Sequence, residues 1–314
     1  MLSIPLSLER SVIIAKPIAE IFKSVADFRT WRSWSPWLCM EPESRVSVEG
    51  EPRTVGHSQA WQGKVIGSGE MRISSLELNE RINHEIQFLA PWKSESQSAF
   101  VFTTVDGGTQ VTWSMKSQLP LFLFFLRRRM TAYIGADYER GLQMLKEFME
   151  KGEVPTRSEF KGEIAKDGFY YVGKERRCTT QEVGAFMPGD FSELWKLVEM
   201  KKLPQPAYCF SLYRTFDCVT GKADYIAGLA YATKPTIKAD VPLATGHFEG
   251  HRALRLDHTG SYRFLGNAWS ALLSRQRALR KKAIKPIPMY EIYRNSPDEV
   301  PERQLKTEIY LPVR

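Results

Sequence analysis

Hydrophobic positions in the first half of the chain change period several times. Leu6 to Ala15, "LSLERSVIIA", alternates apolar and polar residues as a half-buried strand does. The next stretch, "KPIAEIFKSVADFRTWRSW", changes to helical spacing, with Ile18, Ile21, Phe22, Val25 and Phe28 on one face. Six strand-like runs then follow at 44–50, 56–65, 69–78, 82–90, 97–105 and 109–117, and "DGGT" at 106–109 reads as a hairpin turn. Met130–Glu150 returns to helical spacing through Tyr133, Tyr138, Leu142, Leu145 and Phe148. The predicted order is one strand, two short helices, six strands and a long helix.

At 151–167 the pattern breaks into "KGEVPTRSEFKGEIAKD", a polar stretch with proline and glycine that predicts a linker. A chain of 314 residues also favours two domains, since single cores stop growing near ~250–300 residues. The expected division is 1–150, a linker at 151–167, and 168–314.

After the linker the pattern repeats. "GAFMPGDFSELWKLV" from Gly184 and "GSYRFLGNAWSALL" from Gly260 each place a glycine and an aromatic residue before a helix carrying Trp195 or Trp269. Strand-like runs at 169–177 and about 247–258 precede the two helices, and runs at 207–216 and 222–233, then 287–294 and 305–313, follow them. Two β-α-β-β units are the economical reading, which makes the whole chain α+β.

Composition narrows the picture. At 43% hydrophobic and 25% charged the chain is an ordinary folded protein, not a disordered one. The start lacks the marks of a signal peptide, and the longest apolar run, Leu119–Leu126, falls far short of the ~20 residues of a spanning helix. A cytoplasmic protein is expected. Cys39, Cys178, Cys209 and Cys218 show no paired spacing for zinc or a disulfide framework. The net charge of +8 lies almost wholly after the linker, much of it in Arg275, Arg277, Arg280, Lys281, Lys282 and Lys285. At a helix C-terminus such a cluster complements the dipole and stays solvated, and no nucleic-acid-binding pattern accompanies it.

Several local stretches have two readings. His247, Glu249 and His251 in "HFEGH" could hold a metal from one strand face, but a polar strand edge is the commoner use and no metal is expected. The aromatic residues of "FRTWRSWSPW", Phe28, Trp31, Trp34 and Trp37, suit packing of short helices on the sheet, or the mouth of a cavity. "LFLFFLRRR", Leu121–Arg129, reads as a core-facing helix start, with contact to a membrane interface as the alternative. Dinucleotide, P-loop, nucleophile-elbow and paired-cysteine motifs are missing, so no cofactor is expected.

The most pointed chemistry lies in "MYEIYRN", Met289–Asn295, a strand with a glutamate among tyrosines. Alternation puts Met289, Glu291 and Tyr293 on one face and Tyr290 and Ile292 on the other. Aliphatic residues of the partner strand, Ile309, Leu311 and Val313, predict that the helices cover its odd-numbered face. Glu291 with Tyr293, and Glu308 with Tyr310, are then expected on the face away from the helices. That face is either open to water or a groove in which the carboxylate must find a donor, a cation or a proton.

The first half, with "SVIIAKPIAEIFKSVADFRTWRSWSPW" and its long closing helix, resembles the polyketide-cyclase/START-like helix-grip superfamily (SRPBCC). That implies a curved antiparallel sheet gripping a helix over a cavity for an apolar small molecule or lipid. The second half, through "HTGSY", "AWSALL", "MYEIYRNSPDEVPE" and "LKTEIYLPV", resembles the GyrI-like family, the effector-binding domains of some AraC-type and MerR-type regulators. The resemblance implies a pseudo-symmetric fold and a ligand groove, with Glu291 in the position of the family's ligand glutamate. Tyr293 is a second candidate, and Tyr208, Tyr213, Tyr225 and Tyr231 are candidate aromatic walls. The expected partner is a hydrophobic or amphipathic small molecule, cationic or aromatic, bound for sensing, sequestration or resistance, with multidrug binding as the expected mode. With no DNA-binding domain in the sequence, no direct DNA contact is expected. The enzymatic alternative is a hydrolase or cyclase using Glu291 as general base, and a further alternative is lipid handling with peripheral membrane contact.

Overall fold

The computed structural model of the chain describes residues 3–284 and 287–314. Its contacts divide it into two compact units that meet in sequence between Pro155 and Thr156.

The first unit begins with β1 (Ser3–Ile14), which leads into α1 (Ile18–Val25), a 3-10 turn (Phe28–Ser33) and α2 (Pro36–Met40). The sequence spacing of α1 is realised: Ile21, Phe22 and Val25 are buried. There follow β2 (Arg45–Glu49), β3 (Ser58–Gln62), β4 (Ser68–Glu77), β5 (Arg81–Ala90), β6 (Ser94–Val105), β7 (Gly108–Pro120) and the helix α3 (Arg127–Lys151). The seven strands form one antiparallel sheet in the order β1-β7-β6-β5-β4-β3-β2. The β6–β7 hairpin closes through Gly107 and Gly108, at φ 83° and 141°, values that favour glycine.

Helix α3 packs on β1 and β7, buries Tyr138, Leu142, Met144 and Leu145, and ends at Gly152 in the left-handed conformation. Tyr133, expected on its buried face, is exposed instead. Gly141 lets α3 approach the sheet, because a Cβ there would stand 2.8 Å from the Trp113 ring. Trp113 stacks on Tyr138 at 4.1 Å, and Trp31 and Trp34, both fully buried, pack against Trp113 and Phe100. The tryptophans of "FRTWRSWSPW" therefore pack helices onto the sheet, and rings fill this part of the space where an apolar cavity was expected. The core-facing reading of 121–126 is overturned: these residues form a 3-10 turn with no buried side chain.

The second unit comprises β8 (Thr156–Lys166), β9 (Phe169–Thr179), α4 (Val183–Glu199), β10 (Tyr208–Asp217), β11 (Lys222–Tyr231), β12 (Ala244–Phe248), β13 (His251–Gly260), α5 (Leu265–Ala278), β14 (Met289–Tyr293) and β15 (Lys306–Pro312). The eight strands are ordered β12-β9-β11-β10-β14-β15-β13-β8. Each β-α-β-β unit contributes three strands, β9-β11-β10 and β14-β15-β13, and the two sets meet symmetrically where β10 pairs with β14. Residues 156–166, inside the stretch read as a linker, are the edge strand β8 paired along β13. Its alternating polar side chains are an edge pattern, and polarity alone cannot separate an edge strand from a linker.

The run at 247–258 is divided as well. His247 belongs to β12, paired with β9, whereas His251 opens β13 on the other side of the sheet, so the three residues of "HFEGH" do not share one strand face. His247 stacks on Tyr170, and His251 Nε2 lies 3.0 Å from the Tyr290 hydroxyl. The basic cluster lies at the end of α5 as expected, with Arg275 and Arg277 in its last turn and Lys281 paired to Glu163 at 2.5 Å; Lys285 lies outside the described residues.

Candidate functional site

Glu291 occupies the middle of β14, one of the two central strands, and register fixes its neighbours. Directly opposed residues of an antiparallel pair point to the same face. Tyr290 opposes Tyr310 and Ile292 opposes Glu308, so these four share a face. Glu291 opposes Ile309 on one side and Ser211 on the other, and Tyr293 opposes Thr307 and Cys209.

The expectation that Glu291 and Glu308 share the face away from the helices is therefore wrong. Glu291 and Tyr293 face the helices: Trp269 of α5 reaches the Glu291 carboxylate, and Phe191 of α4 packs edge-on to the Tyr293 ring at 5.6 Å. Glu308 lies on the opposite face. The reason is that Tyr290, Glu291 and Ile292 are all buried, so β14 has no wet side for hydrophobic alternation to reveal.

Glu291 is 1% exposed, and four side chains donate to it. Trp269 Nε1–H donates to Oε1 at 2.5 Å. On Oε2 converge the hydroxyls of Tyr293 at 2.6 Å and of Tyr213 and Ser211 at 3.2 Å each. The Tyr293 hydroxyl also lies 2.8 Å from Ser211 Oγ and 3.4 Å from the Met187 sulfur, and Tyr262 packs against its ring at 5.5 Å. Trp269 and Tyr213 meet edge-to-face at 6.3 Å.

Every one of these donors is neutral. Among the described residues no Lys, Arg or His pairs with Glu291. Burial raises its pKa, and the hydrogen bonds from Tyr293, Trp269, Tyr213 and Ser211 pull it back only in part. Burial, followed by the nearby Glu291 charge, pushes the Tyr213 and Tyr293 phenols well above their ordinary value. Tyr262 is pushed up to about 12 by the same two causes. The arrangement holds one carboxylate, oriented but not neutralised, beneath aromatic rings.

The other expected tyrosines separate. Tyr225 is on the helix face, 6.4 Å ring to ring from Tyr213, but its hydroxyl donates to Asp190 at 2.7 Å. Tyr231 donates to the Pro204 carbonyl at 3.1 Å within the cluster around Leu194 and Leu203. Tyr208 lies on the far face, below Lys166 and Arg294. So Tyr213 and Tyr293 meet at Glu291, whereas Tyr208 and Tyr231 do not.

Trp269, Ser211, Met187, Phe191 and Tyr262 were not anticipated. The repeat held the signal for Ser211: Ser211-x-Tyr213 on β10 and Glu291-x-Tyr293 on β14 are matching positions across the central strand pair. Trp269 was visible as the tryptophan of the second unit's helix, though not as a donor.

Residues 164–314 match the family of GyrI-like small molecule binding domains, and residues 5–150 match the family described as polyketide cyclase / dehydrase and lipid transport. No curated protein matches the chain significantly. Similar solved structures include protein CV1439 from Chromobacterium violaceum, at 14% identity over 46% of this chain and 96% of that one, with a TM-score of 0.36. The Aha1 dimer from Colwellia psychrerythraea is 16% identical over 47% of this chain and 98% of that one, at 0.36. EcmrR in its DNA complex is 16% identical over 62% of this chain and 72% of that one, at 0.40. Among the described residues no helix is long and apolar enough to cross a membrane. The chain thus joins a first half resembling the polyketide-cyclase/START-like helix-grip superfamily to a second half resembling the GyrI-like small-molecule-binding domains.

Proposed function

We propose that the second unit captures an amphipathic organic cation at Glu291, in the service of sensing or sequestration. The observation that carries this reading is the buried carboxylate whose four partners are all neutral. Taking a carboxylate out of water without a cation is costly, and a ligand cation that reaches it recovers Coulomb energy at low dielectric. The rings of Trp269, Tyr213, Tyr293 and Tyr262 add cation–π attraction and apolar surface. A neutral ligand of the same shape gains only the apolar part.

A general-base role for Glu291 is the weaker reading. Three hydroxyls already converge on Oε2, so that oxygen has little capacity left to accept a proton from an attacking water.

The test compares a quaternary aromatic ammonium with its uncharged carbon analogue by calorimetry, on the parent and on Glu291→Gln. The parent should prefer the cation, and Glu291→Gln should lose about 100-fold, ~2.7 kcal/mol, of cation affinity while its affinity for the neutral analogue changes little. Equal cation binding by the two proteins would remove the proposed role.

A further inference from the structure

In the first unit, the segment joining β7 to α3 is the apolar run "LFLFFL", Leu121–Leu126, folded as a 3-10 turn. Its large side chains lie outside the core: Phe122 is 67%, Phe124 66% and Phe125 63% exposed. Isolated exposed apolar residues are common, but a contiguous group of this size marks a contact surface. Arg127, Arg128 and Arg129 follow at once and are exposed too.

Topology adds to the patch. Ser96 of β6 opposes Ser117 of β7, so the β5–β6 turn lies at the same end of the sheet as the 3-10 segment. That turn carries Trp92, 64% exposed, and the exposed Lys93, with Leu89 at the end of β5 54% exposed.

The charge pattern points to the occupant. Arg127 and Arg129 lie in the first turn of α3, where the helix dipole is already positive and which contains no acidic residue. No Asp or Glu occurs between Asp106 and Asp137. Arg127 and Arg129 gain nothing from the helix dipole in that position, and an external surface of negative charge would suit them. Aromatic rings that reach an apolar layer, backed by guanidinium groups at the level of headgroups, match the boundary of an anionic bilayer.

We propose that this end of the first unit docks on anionic lipid membranes, with Phe122, Phe124 and Phe125 entering the interface and Arg127 and Arg129 meeting the headgroups. The proposal is independent of ligand capture at Glu291.

The test is flotation of the full chain with vesicles of phosphatidylcholine alone or with phosphatidylglycerol added, on the parent, Phe124→Ser/Phe125→Ser, and Arg127→Gln/Arg129→Gln. All four positions are exposed, and unchanged thermal melting checks the fold of each variant. The parent should float only with the anionic vesicles and lose binding at high salt. Each double variant should lose at least about tenfold in apparent affinity, because stable anchoring needs both an apolar and a basic signal. Three results would overturn the proposal. One is equal flotation of all three proteins, and another is absence of parent binding at low salt. The last is a parent dimer that the phenylalanine variant converts to monomer without any vesicle binding, which would assign the patch to a second copy of the chain.

Discussion

Two glutamates of one hairpin, Glu291 on β14 and Glu308 on β15, begin from the same local arrangement and end in opposite electrostatic states. Each has a tyrosine two residues along its strand whose hydroxyl donates to Oε2 at 2.6 Å, Tyr293 for Glu291 and Tyr310 for Glu308. Glu308, on the far face, also receives Arg255 and Arg294, each at 2.6 Å. Burial pushes its pKa up, but the hydrogen bonds of Arg294 and Tyr310 and the charges of Arg294 and Arg255 outweigh that, and the carboxyl is held below its ordinary range. Glu291 has the tyrosine and, among the described residues, no cation, so burial prevails and its pKa is raised. A buried carboxylate that completes its own ion pairs is architecture; one left with neutral donors is where the proposed ligand cation would bind.

The sharpest way to break the comparison is Glu308→Ala. It removes the carboxylate shared by Arg294 and Arg255, leaving Arg255 only its pair with Asp257, and should cost about 2 kcal/mol in urea unfolding, less than the ~3–5 of a fully buried pair because both arginines reach solvent. Next comes Trp269→Phe, which keeps a ring and deletes the N–H. It should weaken cation binding about tenfold, ~1.4 kcal/mol, since the carboxylate loses its Oε1 donor and its charged form becomes costlier.

Glu291→Gln should act on stability with the opposite sign to Glu308→Ala. A glutamate whose folded pKa exceeds its unfolded value of about 4.3 destabilises the native state as pH rises through that interval. At pH 7 the substitution should therefore raise stability, by up to about 1 kcal/mol, and the gain should vanish below about pH 4. For Glu308 the folded pKa is depressed, so its contribution is present above about pH 4.3 and is lost as the solution is acidified through the folded value. Thermal melts of the two variants from pH 4 to 7 should thus diverge from the parent in opposite directions. The smallest expected effect is that of Tyr208→Phe. Its ring lies on the far face, and cation affinity measured by calorimetry should stay within about twofold of the parent.

Much of this architecture was legible because it rests on periodicity. The face of α1, the six strand runs of the first half, the Gly-Gly hairpin and the two β-α-β-β units all follow from spacing and turn chemistry. The site was legible only in part. Glu291 stood out as a carboxylate among aromatics, but its face did not, because β14 is buried on both sides. Parity alone held a warning that Tyr208 and Tyr213 on one regular strand point to opposite faces. The position of Trp269 against Oε1 depends on how α5 crosses the sheet, which no local pattern encodes. Nor does a pattern reveal that an apolar run such as 121–126 lies outside the core, since periodicity assumes that apolar residues are covered.

The most direct measurement is the titration of the Glu291 side-chain carboxyl by carbon NMR, assigned by its loss in Glu291→Gln, with and without a bound quaternary aromatic ammonium. The account predicts a free-state pKa above the ordinary 4.5 that falls when the cation is added, because the cation stabilises the ionised form. A free-state pKa at or below 4.5, or one that the ligand leaves in place, would contradict it.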